Sequence, residues 1–299
     1  MSCRLWQTWI MTSGAGTWTL GDRTVDRLGF GAMRLTGSAV FDRGRPSDRD
    51  RSIRVLRRAV ELGVNHIDTA AFYFSRLRSA NELINSALAP FPDDLTIVTK
   101  VGPSRDADGE WRSWATPAQL RGQVEENIRQ LGREYLDVVN LRVAGPEPIS
   151  ESFGALAELR DAGLVRHLGL SAVVPAQLAE AQLIAPVVCV QNRYGVGVTR
   201  DDDVLRICGD QGIAFVPFFA IAGEGKAAGP GDSDFDDVHA VAQAHGVTPA
   251  QARLAWTLGL GPHVLAIPGT GDPDHLAENV AAADLRLSAD EMALLSGLR

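Results

Sequence analysis

A strand–helix–strand pattern in the first third of the chain constrains the fold most. Two short apolar runs, Val64–Ile67 and Leu95–Thr99, have the length and the β-branched content of buried strands. The segment between them, Ala80–Leu88, has helical periodicity, so the three segments predict a βαβ unit. The strands are followed by Asp68 and Lys100, respectively. Because parallel strands end at the same edge of a sheet, this carboxylate and this ammonium are predicted to lie side by side, where α/β proteins place their chemistry.

The same alternation continues through the rest of the chain. The predicted strands are Val25–Met33, Val64–Ile67, Leu95–Thr99, Leu136–Leu141, Val165–Leu170, Val187–Gln191, Ile213–Val216 and His263–Ile267. The predicted helices are Arg51–Leu62, Ala80–Leu88, Pro117–Leu131, Ile149–Ala162, Pro175–Leu183, Asp201–Gly209, Thr248–Leu260 and Pro273–Ala282. Eight strand–helix units in 299 residues predict one α/β domain, a (β/α)8 TIM barrel over residues 21–299. Residues 1–20 are predicted to be an N-terminal extension, and the sequence leaves its order open.

Composition narrows the classes of partner. The chain has a net charge of −8 and a pI near 5.3. Nucleic acids and anionic membranes are bound by clustered positive charge, so this balance argues against both and favours small-molecule partners. Three cysteines, an odd number without metal-binding spacing, argue against a disulfide framework. This cysteine usage favours a cytoplasmic protein, and residues 1–20 contain no apolar run long enough for a signal peptide or a membrane helix. The oligomeric state is left open.

Lysine is almost absent from the chain. Of 29 basic residues only Lys100 and Lys226 are lysines, and all the others are arginines. The pKa of a buried lysine can be tuned for proton chemistry, whereas arginine stays charged, so a lysine at this strand end indicates a function. A purely structural ion pair between Lys100 and Asp68 is the alternative.

A longer motif is built around the βαβ unit. Its residues, at fixed spacings along the chain, are Gly63, Asp68, Tyr73, Glu82 and Lys100. This spacing resembles the signature of the aldo-keto reductase superfamily, whose members are barrels. The resemblance covers most of the predicted barrel, and it implies that the segment Trp18–Asp26 is a hairpin that closes the barrel bottom.

The resemblance implies catalytic roles for three of these residues. Tyr73 would donate a proton to a substrate carbonyl. Because the unperturbed pKa of tyrosine is near 10, the phenolate needs a stabilising charge, which Lys100 would supply. Asp68 would orient Lys100 and keep it charged. For Tyr73 alone, the alternative is a loop aromatic that covers apolar surface.

The fourth catalytic position departs from the family pattern. Most members have a histidine at the end of the fourth strand, whereas here the run Leu136–Arg142 ends in an arginine. Arg142 can donate hydrogen bonds to a substrate oxygen and lower the pKa of Tyr73, but it cannot shuttle protons. In the alternative interpretation, Arg142 only pairs with a loop acid such as Glu147.

Several runs together resemble one subgroup, the pyridoxal-reductase-like aldo-keto reductases. They are Asn65–Tyr73, Asp137–Arg142, Val190–Tyr194 and Phe215–Phe219. This resemblance implies an NADPH-dependent reduction of a small aldehyde, with pyridoxal as the candidate substrate.

Cofactor contacts follow from the same resemblance. Ser171, Gln191 and Phe215 match the residues that hold the nicotinamide. Ser171 has an alternative role as a helix cap before Pro175, and Phe215 has one as a core residue.

The last predicted strand is followed by a candidate adenosine-phosphate site. Backbone N–H groups of Gly269, Thr270 and Gly271 at a helix start would cradle phosphate, and Glu278 and Asn279 would bind the adenine amine. Many relatives place Lys and Arg at the 2′-phosphate, where this chain has Gly269 and His275, and a neutral histidine is a poor phosphate clamp. The subgroup implies NADPH, and NADH is the alternative cofactor.

Parts of the sequence also fit functions other than a reductase. A barrel that binds nucleotide but has lost turnover, acting as a regulatory or redox-sensing subunit, is the main alternative. A Schiff-base aldolase using Lys100 is disfavoured by the adenosine site. His66 and Asp68 alternate like a metal pair, but the six histidines are scattered, so no metal is expected. The Gly-rich segment Phe219–Asp234 is predicted to be a mobile loop over the cofactor, or a plain solvent loop.

Overall fold

A computed structural model describes residues 14–37, 47–106, 110–112, 114–198, 201–221 and 235–298. The strands, in chain order, are β1 (Thr17–Leu20), β2 (Arg23–Asp26), β3 (Phe30–Gly31), β4 (His66–Asp68), β5 (Phe74–Ser75), β6 (Arg78–Ser79), β7 (Thr96–Val101), β8 (Leu136–Arg142), β9 (Val165–Ser171), β10 (Val187–Gln191) and β11 (Ala214–Phe215). The helices are α1 (Arg49–Glu61), α2 (Ala80–Leu88), α3 (Pro117–Leu131), α4 (Ser150–Asp161), α5 (Pro175–Gln182), α6 (Asp202–Gln211), α7 (Asp236–His245), α8 (Pro249–Gly259), α9 (Pro273–Ala281) and α10 (Ala289–Ser296). Short 3₁₀ helices lie at Ala32–Thr36 and Ala282–Asp284.

The main sheet is parallel and closes on itself. Its seven strands run in the order β11, β10, β9, β8, β7, β4, β3. Parallel bridges from residues 264–266 join its two edges, Val264 to Phe215 and Ala266 to Leu28. Backbone hydrogen bonds support the closure, with the Gly29 N–H donating to the Ala266 carbonyl at 2.8 Å. Residues 264–266 therefore act as the eighth barrel strand, and the predicted single-domain (β/α)8 barrel is confirmed.

The hairpin of β1 and β2 covers the amino-terminal end of the barrel. Leu20 and Val25 of this hairpin are buried, and they pack on side chains from the barrel interior, namely Val98, Val138, Cys189, Ala214, Val216 and Leu265. The family resemblance implied a hairpin at this place. Since Leu20 is buried, the folded unit begins before residue 21, and part of the predicted extension belongs to it.

Helix boundaries follow local capping chemistry. The helix α3 begins after the N-cap residue Thr116 with Pro117 at its first position, and it ends at Gly132, whose φ of 64° is left-handed. The helix α1 buries one apolar face, with Ile53, Leu56 and other residues against the sheet. Such side chains, together with the outward faces of the strands, form the large core between sheet and helices.

The structure corrects some predicted elements. The predicted strand Val25–Met33 is wrong, because Val25 belongs to the hairpin and the barrel strand is limited to Phe30–Gly31. Gly29, between these segments, packs against the His66 ring, which a Cβ atom would meet at 2.3 Å. The helices α7 and α10 were not predicted. Most of the predicted mobile loop, residues 222–234, lies outside the described residues.

Within the described ranges, we find no helix with the length and apolar character needed to span a membrane.

Candidate active site

A buried ion pair lies at the carboxyl-terminal end of the barrel. The Lys100 Nζ donates to the Asp68 carboxylate at 2.7 Å and 2.6 Å, and to the Thr69 carbonyl at 3.1 Å. Gln191 Nε2 donates to the same carboxylate at 2.5 Å. Lys100 and Asp68 are 5% and 4% exposed, so the pair is nearly sealed from solvent. The strand ends thus meet as the βαβ pattern predicts.

A buried polar network lies behind the ion pair. Thr69 Oγ1 donates to Asn81 Oδ1 at 2.8 Å, and Asn81 Nδ2 donates to Asn127 Oδ1 at 3.0 Å. Thr99 Oγ1 donates to the same Asn127 oxygen at 2.6 Å. The network fixes the ends of β4 and β7 relative to α2 and α3. This network was not predicted from the sequence, although polar residues on the core faces of two helices indicate it.

Tyr73 lies in the loop between β4 and the β5–β6 hairpin. Its ring centroid is 5.0 Å from the Lys100 Nζ, and the residue is 7% exposed. The Tyr73 N–H donates to the Ala70 carbonyl at 3.0 Å, and its carbonyl accepts from the Ala80 N–H at 2.9 Å. Tyr73 therefore stands over the buried pair with its backbone fixed on both sides.

Burial and the neighbouring opposite charges shift the pKa values of Tyr73 and Lys100 in opposite directions. Burial raises the pKa of Tyr73, and the nearby Lys100 and Arg142 charges only partly offset this, so the phenol stays protonated at neutral pH. Burial also works against the charge of Lys100, but Asp68 and Tyr73 outweigh it, so its pKa is raised. At neutral pH the site thus pairs a protonated phenol with a charged ammonium.

Arg142 ends β8 on the same side of the barrel. Its Nη1 donates to Ser171 Oγ at 3.1 Å, and its guanidinium lies 4.9 Å from the centroid of the Phe218 ring. Burial lowers the pKa of Arg142, and the opposing effect of the neighbouring Tyr73 is smaller. Among the described residues no ion pair joins Arg142 to Glu147, so the loop-acid alternative finds no support.

A cavity of about 530 Å³ opens above these side chains. Asp68, Tyr73, Lys100 and Arg142 all line it. Most of its remaining wall is aromatic or apolar, comprising Met33, Phe72, Pro103, Trp111, Trp114, Pro217, Phe218, Phe219, Ala220, Ile221, Ile267 and Pro268. A flat, partly apolar molecule of modest size suits such a wall.

The three predicted nicotinamide contacts lie in different surroundings. Ser171 ends β9 and accepts a hydrogen bond from Arg142. The N-cap of α5 is Val174, so Ser171 does not cap this helix. Gln191 ends β10, and its Oε1 is buried without a hydrogen-bond partner in the described part of the chain. Phe215 is fully buried, packs edge to face on Tyr194, and does not line the cavity.

Phe218 is an aromatic residue of the site that sequence analysis missed. It lies three positions after Phe215, lines the cavity, and contacts Arg142. The signal was present in the run Phe215–Phe219, but only the closed barrel distinguishes the ring that faces the core from the ring that faces the cavity.

The predicted phosphate-binding residues border the cavity on another side. Gly269 lines it and lies so close to the first barrel strand that a Cβ atom would be 2.5 Å from the Gly31 carbonyl oxygen. Thr270 Oγ1 accepts from the Asp272 N–H at 3.0 Å, which shapes the turn into α9. The other predicted residues lie along this turn and helix, with Gly271 half-buried, His275 and Glu278 exposed, and Asn279 buried.

Asp272, which caps α9, is engaged by neighbouring groups. Its carboxylate accepts from the Asp274 N–H at 2.9 Å and forms an ion pair with Arg51 of α1. Hydrogen bonding to the Asp274 N–H, with a smaller effect of Arg51, lowers the pKa of Asp272. Within the described ranges, no cluster of His, Cys, Asp and Glu has the composition of a metal site.

Comparison with known proteins agrees with this geometry. Residues 27–299 match the model of the aldo/keto reductase family. The chain therefore belongs to the aldo/keto reductase family, a class of oxidoreductases.

Individual relatives give a finer comparison. The chain is 46% identical to pyridoxine 4-dehydrogenase of Escherichia coli over 291 residues, covering 95% of this chain and 98% of that protein. It is 38% identical to an uncharacterised oxidoreductase of Schizosaccharomyces pombe, covering 95% and 90%. Among solved structures, an aldo-keto reductase from Klebsiella pneumoniae in complex with NADPH is 27% identical, with a TM-score of 0.76 and 93% of each chain covered. A thermostable aldo-keto reductase in complex with epalrestat is 29% identical, with a TM-score of 0.78, covering 93% and 97%.

Proposed function

We propose that this protein is an NADPH-dependent carbonyl reductase that reduces a small aromatic aldehyde, with pyridoxal as the candidate substrate. One observation carries the proposal, namely the buried Asp68–Lys100 pair beneath a protonated Tyr73 at the floor of an aromatic cavity. NADPH, when bound, supplies the hydride for the carbonyl carbon.

Tyr73 is the proposed proton donor. Its hydroxyl transfers a proton to the carbonyl oxygen as charge develops there, and the tyrosinate that remains is stabilised by the Lys100 ammonium. Asp68 keeps Lys100 charged and holds it in place, since both carboxylate oxygens accept from its Nζ. Low exposure strengthens these electrostatic interactions.

Arg142 is the proposed second partner of the carbonyl oxygen. It lines the cavity with Tyr73, and its charge acts on that tyrosine. A guanidinium donates hydrogen bonds but does not release protons at neutral pH, so Arg142 stabilises negative charge on oxygen and leaves proton transfer to Tyr73.

The nicotinamide would be held between Ser171, Gln191 and Phe218. The buried and unpartnered Gln191 Oε1 fits the amide N–H of a carboxamide, because a buried acceptor without a partner is costly. We assign the ring-stacking role to Phe218 and not to Phe215, since only Phe218 lines the cavity.

The adenosine half would lie over Gly269, Thr270 and Gly271, close to His275, Glu278 and Asn279. NADPH is preferred over NADH because the Klebsiella relative was solved with NADPH. The acidic residue nearest this turn, Asp272, has its charge offset by Arg51, which reduces repulsion of a 2′-phosphate.

Pyridoxal is the proposed substrate for two reasons. The most similar relative described above is, by its name, a pyridoxine 4-dehydrogenase, and the present chain covers 98% of its length. The cavity wall offers Phe72, Trp111 and Trp114 to a flat ring.

The test follows the consumption of NADPH by purified protein with pyridoxal, beside NADH and beside Tyr73→Phe. The proposal predicts oxidation that the substitution reduces by about 10²-fold or more while cofactor binding is retained. Tight NADPH binding without turnover on a panel of aldehydes would instead support the regulatory subunit. Turnover that persists in Tyr73→Phe would rule out the assigned proton donor.

A further inference from the structure

The cavity wall carries an excess of positive charge. Four of its lining residues are cationic, Arg34, Lys100, Arg112 and Arg142, and one is acidic, Asp68. Lys100 is paired with Asp68, and Arg112 is paired with Asp106. Arg142 differs, because in the part of the chain that the structure describes no carboxylate pairs with it.

The surroundings of Arg142 leave most of its donors for a ligand. A guanidinium has five N–H donors, and one of them is used by Ser171 Oγ. Its face lies on the Phe218 ring at 4.9 Å. A largely enclosed cation without a counter-charge is unfavourable, and an anion that enters the cavity restores the balance.

The unpaired charge of Arg142 lies in the same cavity as the proposed proton donor. Arg142 lines the same cavity as Tyr73, and each of the two residues affects the ionisation of the other. An anionic group that pairs with Arg142 therefore lies in the same cavity as the carbonyl that accepts the proton of Tyr73. A guanidinium is a planar fork, so it can bind two neighbouring oxygen atoms at once.

We propose that Arg142 recognises an anionic oxygen beside the reacting carbonyl, so that the preferred substrates are aromatic aldehydes with an ionised hydroxyl on the adjacent ring carbon. This inference rests on the proposed function, which places the carbonyl at Tyr73. The aromatic wall of Phe72, Trp111 and Phe218 suits a ring better than an aliphatic chain. Pyridoxal belongs to this class, because its ring hydroxyl is adjacent to the carbon that bears the aldehyde.

The chemistry of the step balances without a further reactant. NADPH would supply the hydride for the carbonyl carbon. Tyr73 gives its proton to the carbonyl oxygen, so the products would be a primary alcohol and the oxidised cofactor. The tyrosinate regains a proton from solvent. The adjacent phenolate neither gains nor loses a proton, and Arg142 compensates its charge throughout.

A kinetic experiment compares two isomeric substrates. Salicylaldehyde has its hydroxyl adjacent to the aldehyde, and its meta isomer has the same atoms with the hydroxyl out of reach. The ratio of kcat/KM for the two is measured in the wild type, in Arg142→Gln, and in Arg121→Gln, which removes an exposed arginine of α3. We expect an ortho preference of about tenfold or more in the wild type and in Arg121→Gln, and a preference near unity in Arg142→Gln.

A binding experiment gives a readout that does not depend on turnover. Salicylaldehyde is bound to the complex of the protein with oxidised cofactor, and the pH is varied. The absorbance of the phenolate then reports the ionisation of the bound phenol. Arg142 is expected to lower the pKa of the bound phenol by about one unit or more, and Arg142→Gln to abolish this shift.

The outcomes separate the two proposals. Absence of reduction with every aldehyde overturns the proposed function, and a phenol pKa shift that depends on Arg142 would still support the anion contact. An ortho preference that survives in Arg142→Gln overturns the inference while leaving the reductase intact. Faster turnover of phenylglyoxylate than of salicylaldehyde would also overturn it, because the anion would then be a carboxylate.

Discussion

Arg105 fixes the backbone on both sides of Tyr73. The Arg105 Nη1 donates to the Phe72 carbonyl at 3.0 Å and to the Phe74 carbonyl at 2.8 Å, the residues on either side of Tyr73. Its guanidinium stacks 4.4 Å from the Phe74 ring centroid and 5.5 Å from that of Trp111. Arg105 therefore links the loop that carries the proposed proton donor to an aromatic residue of the cavity wall.

Replacing Arg105 by methionine keeps an apolar stem between the two rings and removes both hydrogen bonds. Because a small displacement of a reacting group is costly, we expect kcat to fall by about tenfold or more. Affinity for NADPH, measured by quenching of protein fluorescence, is expected to stay within about twofold, since Arg105 does not line the cavity. Arg121→Met serves as the matched control on α3. A rise in KM for the aldehyde with kcat unchanged would contradict a positioning role.

The Asp68–Lys100 pair predicts an asymmetry between single and double substitutions. Lys100→Met leaves the buried Asp68 carboxylate without its cation, so the free energy of unfolding should fall by about 3–5 kcal/mol. Adding Asp68→Asn removes the uncompensated charge, and most of the lost stability should return. Reductase activity should remain absent in both variants. Urea denaturation measures stability, and a double variant as unstable as Lys100→Met would show that packing, not charge, dominates.

The pKa values of Asp26 and His66, at the amino-terminal end of the barrel, are shifted in opposite directions. The His66 ring and the Asp26 carbonyl oxygen are joined by a hydrogen bond of 3.0 Å. Burial, with a smaller effect of Asp94, raises the pKa of Asp26 to about 6. Burial lowers the pKa of His66 to about 4, since the favourable effects of Asp68 and Asp26 are smaller.

The signs of the two pH effects follow from linkage. Asp26 binds its proton more tightly in the folded state, so its contribution to stability is largest at low pH and is lost as the pH rises through about 6. His66 binds its proton more weakly when folded, so its contribution is present above about pH 6.5 and is lost as the pH falls towards 4. Between these values the two effects largely cancel.

Asp26→Asn should expose the His66 effect. We expect the variant to be more stable than the wild type by about 1 kcal/mol near pH 8, less than the full pKa difference because solvent partly screens the carboxylate. Near pH 4 the difference should disappear. Urea denaturation across this range tests the slope, with Asp94→Asn as a weaker change in the same direction. A stability difference that does not vary with pH would exclude titration as its cause.

The barrel and the ion pair could be predicted from the sequence, because both follow from the alternation of strands and helices along the chain. Hydrophobic periodicity distinguishes the strands from the helices. Neighbouring parallel strands then bring Asp68 and Lys100 together, independently of the loop conformations. Arg105 and Phe218 are different, because their roles depend on which way a loop side chain points. The choice between Phe215 and Phe218 needs the closed sheet, where one ring packs on Tyr194 and the other faces the cavity. The helices α7 and α10 escaped prediction because eight strand–helix units already accounted for the barrel.

Cofactor preference should respond to the ion pair between Arg51 and Asp272. Without Arg51, the carboxylate at the start of α9 keeps its full charge next to the proposed 2′-phosphate position, while NADH carries no phosphate there. Arg51→Gln is therefore expected to raise the KM for NADPH relative to that for NADH by about two- to fivefold. The effect should shrink at high salt, because exposed charges are screened. Arg49→Gln removes an equal charge from the same helix, where it pairs with Asp50, and should leave the ratio unchanged. If both substitutions change the ratio equally, general helix charge and not the Asp272 contact sets the preference.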